Sequence, residues 1–281
     1  KAGVMASRAC LPLAVAEREG DFDELGIKVG INKFFAANDR DAAFQSGNID
    51  GTVIDYTGAI LQGGGGIKLK LVSACDAPFY IIAGQNSGIS DLKGLQGKTI
   101  AISQNTVIDF IMDQAFFSAN ISVDNYDKVE INKIPLRFEM LRSGKIDATG
   151  LPDPLALKAQ MAGDKVLATN ETLGFAITGI MFREEALAAK PVEIKKMYVA
   201  YNKGVEYIQN NPIEKIQDIL IDGMGFTEEL IPHTVLPAYQ KARVPSDGDL
   251  GAVITWLGDR GLISEAFDSS SLVDAGILSG L

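Results

Sequence analysis

This sequence is poor in the residues that most catalytic and metal chemistry needs. Its 281 residues include one histidine, His233, which removes most histidine-based mechanisms from consideration. Cysteine occurs twice, as Cys10 and Cys75. Two thiols are too few for a disulfide scaffold and have no zinc spacing, so neither a metal nor a cofactor is expected. No apolar run approaches the roughly 20 residues that a membrane helix needs. Nothing reads as a signal peptide; the chain opens almost directly on an apolar segment, Ala2 to Ala6, as a mature or trimmed chain would. Positive charge is in deficit as well. Lys plus Arg is 26 against 36 Asp plus Glu, a formal charge of −10. That argues against nucleic acid and against an anionic membrane surface as partners.

What is present is apolar substance in a regular order. The chain is 47% hydrophobic, ample for a core, and its length suits about two domains. Short apolar strands are predicted at Ala2–Ser7, Lys28–Phe34, Gly51–Ile54, Lys68–Ser73, Phe79–Ala83, Thr99–Ser103, Lys128–Ile134, Ala148–Leu151, Lys165–Thr169 and Thr178–Phe182. Helical stretches between them are expected at Pro12–Arg18, Arg40–Ser46, Thr57–Gly63, Val107–Ala119, Leu136–Ser143 and Pro154–Ala162. Such alternation implies an α/β fold with parallel sheets and helices on both faces. Ligands in such sheets sit beyond the carboxyl ends of strands. From Val192 onward the pattern is helical, with candidates at Val192–Asn211, Pro212–Gly223, Thr227–Gln240, Asp247–Arg260 and Ser264–Phe267. The Gly63–Gly66 run reads as a helix-to-strand turn. No internal repeat is read.

The strand Thr99–Ser103 runs into a polar turn, Ser103-Gln-Asn-Thr106, and a helix then starts near Val107. The first N–H groups of a helix lack partners and its dipole makes that end partly positive, so the turn suits a small polar ligand.

Several segments carry a family resemblance. They are Pro12-Leu-Ala-Val-Ala-Glu-Arg-Glu-Gly-Asp-Phe22 with Leu25-Gly-Ile-Lys-Val29, Ala43-Phe-Gln-Ser-Gly-Asn-Ile-Asp50, Leu92-Lys-Gly-Leu-Gln-Gly-Lys-Thr-Ile-Ala101, Leu141-Arg-Ser-Gly-Lys-Ile-Asp-Ala148 and Leu151-Pro-Asp-Pro154. In this order the chain resembles the extracytoplasmic solute-binding proteins of ABC importers. The nearest group is the one associated with nitrate, sulfonate, taurine and pyrimidine precursors of thiamine. Asp55-Tyr-Thr-Gly58 departs from the sulfonate and nitrate binders, which have small or polar residues there. The resemblance implies a periplasmic-binding-protein type II fold of two doubly wound lobes with two hinge crossovers. Lobe one would be residues 1–84 and 178–281, lobe two residues 85–177, with the solute held in a cleft between them. It also implies a monomer that delivers its solute to an ABC permease, on the periplasmic or extracellular face of the membrane, free or lipid-anchored.

Candidate ligand contacts follow at the strand ends. Ser7, Cys10 and Leu11 stand at the first helix start. Asp55, Tyr56 and Thr57 follow a strand; Asp55 either accepts from a ligand or caps the next helix, and Tyr56 is placed to stack. Asp76 is a ligand acceptor or a turn residue. Ser103, Asn105 and Thr106 form the best polar cluster. Arg137, at a helix start where a cation is unfavourable, calls for an acid or a ligand carboxylate. Asp153 lies on a proline-bracketed loop, and Phe175 covers the ligand or packs the second crossover. Cys10 and Cys75 are two free thiols or one disulfide. Three carboxylates on these loops favour a ligand with amine or ring N–H donors, such as a pyrimidine, over a sulfonate. The alternatives are an enzyme on the same fold, acting on a small aromatic or pyrimidine-like substrate, and a sensing module; no nucleophile–base pair stands out for the former.

Overall fold

The computed structural model describes residues 1–5, 7–34, 37–122, 127–264, 267–268 and 271–281. Ala6 of the first predicted strand and two residues of the helix predicted at Ser264–Phe267 lie outside them. The chain divides into two compact units, Lys1–Ala77 with Ala176–Leu281, and Pro78–Phe175.

Unit 1 opens with β1 (Ala2–Met5), α1 (Leu11–Arg18), the short α2 (Asp21–Glu24), β2 (Ile31–Phe34), α3 (Ala37–Gln45), β3 (Gly51–Asp55), α4 (Tyr56–Gly64) and β4 (Leu69–Cys75). Unit 2 contains β5 (Phe79–Ala83), β6 (Thr99–Ile102), α5 (Val107–Ser118), β7 (Asp127–Glu130), α6 (Ile134–Arg142), β8 (Ala148–Pro152), α7 (Leu155–Met161) and β9 (Lys165–Thr169). The chain then returns to unit 1 with β10 (Thr178–Arg183), α8 (Glu184–Ala189), α9 (Pro191–Asn210), α10 (Gln217–Met224) and α11 (Asp247–Asp259).

Both sheets follow one plan. The orders are β2-β1-β3-β10-β4 and β7-β6-β8-β5-β9. In each, the strand that follows a passage between units is inserted third-to-fourth and runs antiparallel: β10 against β3 and β4, β5 against β8 and β9. The sheets are therefore mixed, not parallel, because an apolar run carries no mark of its direction. For the same reason the first passage between units falls ahead of β5, not after it as a first lobe ending at residue 84 would have it, and the units are bounded at Ala77/Pro78 and Phe175/Ala176.

A repeat that the sequence conceals emerges from this plan. Ser46-Gly-Asn-Ile-Asp-Gly-Thr52 links α3 to β3, and Ser143-Gly-Lys-Ile-Asp-Ala-Thr149 links α6 to β8. Gly47 and Gly144 have φ of +76° and +68°, a left-handed region that favours glycine at a helix end. Asn48 N–H donates to Ala43 O, and Lys145 N–H to Met140 O, closing each helix alike. Ile49 and Ile146 are both buried. The Thr52 hydroxyl donates to Gly3 O and the Thr149 hydroxyl to Ala101 O, each at 2.8 Å, tying third strand to first. Two heptapeptides are too short to declare themselves as a repeat until the same bonds are seen twice.

Unit 1 packs α9 on α1 where Gly204 lies against the Pro12 backbone; a Cβ at Gly204 would lie 2.1 Å from Pro12 O. Unit 2 buries Ile82, Ala101, Leu141, Ile146, Leu151, Ala156 and Ala159 together. The helix predicted at Thr227–Gln240 does not form. Only a short 3-10 turn, Ile231–His233, occurs there, because Pro232 and Pro237 withdraw backbone donors.

Candidate functional site

In unit 1 the strand-end residues are largely absorbed by the fold. Ser7 accepts from Ala9 N–H at 3.3 Å and caps the 3-10 turn Arg8–Cys10. Cys10 and Leu11 are buried. Burial pushes the Cys10 thiol up to about 12 against the opposing charge of Arg40, and burial likewise raises the buried Cys75; both are free thiols. Asp55 caps α4, accepting from Gly58 N–H at 2.9 Å and from the Thr57 hydroxyl. Tyr56 is wholly buried, so its ring packs in the core rather than offering a stacking face. Asp76 accepts from Gln240 N–H at 2.9 Å and from two Arg243 nitrogens at 2.6 and 3.2 Å. Arg243 is held above its ordinary value: burial pulls it down, but the hydrogen bonds to Asp76 prevail.

Sequence reasoning gave no hint of Arg243, which no local pattern links to Asp76. Of three hydroxyls near the same strand ends it singled out only Tyr56, and that for its ring. Tyr56, Tyr201 and Thr178 are buried, and among the described residues their hydroxyl oxygens have no partner. Thr178 stands opposite both Asp55 and Cys75 in the strand pairing. A surface cavity of about 260 Å³ in the same unit runs between α1, β2 and α10; of the predicted site residues only Cys10 lines it.

In unit 2 the polar turn Ser103–Thr106 is not buried. Ser103 donates to Asn132 Oδ1 at 2.7 Å. Asn105 adopts φ of +58°, and its N–H donates to Asp109 Oδ2 at 3.0 Å. The Thr106 hydroxyl turns back to donate to Ser103 O at 2.7 Å, and although Thr106 is the cap residue its side chain makes no cap hydrogen bond to α5. Among the described residues the Asn105 carboxamide has no partner, and it is only half-buried. An uncapped twelve-residue helix start with a spare carboxamide offers hydrogen-bond donors of the kind an acceptor-rich group would need.

Arg137 is 1% exposed, a fully buried cation in the first turn of α6. It donates to Ile131 O at 2.7 Å and to Gly150 O at 3.4 Å. Neither Asp153 nor Glu139 pairs with it: among the described residues Arg137 makes no ion pair. Burial lowers it to about 10. Asp153 accepts from Leu157 N–H at 3.1 Å at the start of α7. Phe175 packs edge-on against Phe110 of α5, with centroids 5.3 Å apart. Among the described residues no group of three or more metal-ligating side chains gathers anywhere.

Solved structures match this architecture over nearly its whole length. The periplasmic aliphatic sulphonate binding protein SsuA from Escherichia coli aligns with a TM-score of 0.84 at 15% identity, covering 97% of this chain and 96% of that one. The ligand binding component of an ABC-type import system from Staphylococcus aureus aligns at 0.82 and 14% identity, covering 98% and 96%. The fold is that of the periplasmic binding proteins. The chain belongs to the NMT1/THI5-like family, whose pattern it matches over residues 8–215. It is 27% identical over 239 residues to a Bacillus subtilis protein named "Putative aliphatic sulfonates-binding protein", covering 80% of this chain and 70% of that one.

Proposed function

We propose that the protein is the solute-binding component of an ABC importer. It captures a small polar molecule outside the cytoplasmic membrane, free or lipid-anchored, and hands it unaltered to a permease. The observation that carries this reading is the open start of α5, with the Asn105 carboxamide beside it, in a chain whose family match runs through both units. The chemistry of the strand ends supports binding without turnover. Both thiols are buried and held protonated, and His233 lies on an exposed 3-10 turn in unit 1.

The carboxylates give no support to an amine ligand. Asp55, Asp76 and Asp153 each already accept hydrogen bonds from the fold's own donors. The Bacillus relative's name makes aliphatic sulfonates the first solutes to test. Calorimetric titration with sulfonates, nitrate and pyrimidines, together with mass spectrometry of whatever solute copurifies, tests the reading. One intact solute per chain is expected. Conversion of a bound solute over hours would contradict it, as would a protein that neither carries nor binds any solute.

A further inference from the structure

The repeat shared by the two units places a second pair of residues in correspondence. Arg40 and Arg137 each precede the aspartate of their heptapeptide, Asp50 and Asp147, by the same interval. Each sits on the helix before the third strand, and each is buried, at 6% and 1% exposure. Each reaches the corresponding third-strand carbonyl, Val53 O or Gly150 O, at 3.4 Å in both cases. They differ in their neighbour. Asp41 follows Arg40 and pairs with it at 2.7 Å. Phe138 follows Arg137, and among the described residues no carboxylate takes Asp41's place.

The Arg137 charge is therefore buried and uncompensated. Two carbonyls accept from its terminal nitrogens, while its Nε is buried without a partner among the described residues. The amino end of α6 repels it. A buried charge of this kind is costly unless something of opposite sign lies near. Burial draws it down to about 10, which leaves it a cation at neutral pH.

Its position says where that opposite charge belongs. Ile131, which accepts from Arg137, donates its N–H to Ile102 O at the end of β6. Gly150 lies on β8 next to Thr149, which pairs with Ala101 of β6. The guanidinium thus bridges the strands on either side of β6, at the end from which the Ser103–Thr106 turn leaves for α5. Asp109 and Asp113 near that turn are paired with Lys128.

We infer that Arg137 is the charge-selecting residue of the site: covered by the fold and touching no ligand itself, it makes the open start of α5 select a small oxyanion over a neutral solute of the same shape. The inference rests on the solute-binding reading and names the ligand class for it. In a poorly solvated interior a fixed charge acts across a longer distance than in water.

The test compares methanesulfonate with dimethyl sulfone, near-isosteres that differ in charge, and adds nitrate, acetate and phosphate. Calorimetry would be run on the full chain and on Arg137→Met, Arg137→Lys and Phe138→Asp, each checked for folding by circular dichroism. The wild type should bind at least one of these anions, and methanesulfonate at least tenfold more tightly than the sulfone. That ratio should fall towards one in Arg137→Met and be largely kept in Arg137→Lys. Phe138→Asp, which rebuilds the Arg40–Asp41 arrangement, should lower it as Arg137→Met does. If Phe138→Asp does not fold, the Met and Lys pair decides. An unchanged ratio in Arg137→Met overturns the inference, and so does a wild type that binds the sulfone as tightly. Recovery of a copurified neutral solute with no anion binding overturns the inference but leaves the solute receptor standing. Absence of every solute removes both.

Discussion

Thr52 and Thr149 make corresponding hydrogen bonds in the two units, and Arg40 and Arg137 reach corresponding carbonyls, yet the turns at the strand ends diverge. In unit 1, Asp55 caps a helix, Asp76 holds Arg243 and the Gln240 amide, and Asp41 neutralises Arg40. In unit 2 the cap residue Thr106 bonds backwards, and among the described residues the Asn105 carboxamide is left over and Arg137 has no acid. A shared scaffold has thus been finished in two ways: the strand-end carboxylates of unit 1 are consumed as structure and its unpaired hydroxyls are buried, whereas the turn at the start of α5 in unit 2 is left half-exposed. Ligand chemistry is read from groups that the fold leaves unspent, not from polar residues at strand ends as such.

Substitutions should separate the two units by what they damage. The largest loss is expected in the scaffold. Gly204→Val forces a side chain onto the Pro12 carbonyl and should cost about 3 kcal/mol of stability, read by urea unfolding. A wild-type midpoint would mean that α9 and α1 separate easily. Asp76→Ala strips the acceptor from a half-buried guanidinium and from a backbone N–H, and should cost about 2 kcal/mol with little change in solute affinity. Loss of affinity at unaltered stability would return Asp76 to the binding residues and blur the contrast between units.

Asn105→Gly should do the reverse. Glycine suits a φ of +58° and should raise stability by up to about 1 kcal/mol, while loss of the carboxamide weakens solute binding about tenfold. Stability and affinity that move together would contradict the division of labour. The smallest effect concerns the thiols. With its folded value raised to about 12, Cys10 has almost no thiolate at pH 8, and Cys75 is shifted in the same direction. Neither should react with a thiol reagent in the folded protein, and both should react on unfolding.

The β6–turn–α5 segment was legible in the sequence because three signals coincide there: a short apolar strand, four polar residues and a long apolar helix. The cap role of Asp55 was one of two readings that its position allowed, and the bond to Gly58 decides which is observed. Other features depend on partners far along the chain. The Asp76–Arg243 pair and the insertion of β5 and β10 arise only when distant segments meet. Tyr56 looked like a stacking residue because a tyrosine at a helix start carries no sign of which way its ring turns; α4 buries it. Arg137 drew notice for its conflict with the helix dipole, but its meaning came from Arg40, once the repeat supplied the comparison.

The most direct measurement follows backbone and side-chain amide resonances while the copurified solute is titrated into the solute-free protein. The Asn105 carboxamide and the N–H groups of Val107 and Ile108 should shift with saturation at one solute per chain. If those resonances stay fixed while the solute binds elsewhere, the open start of α5 is not the place where the protein holds its ligand.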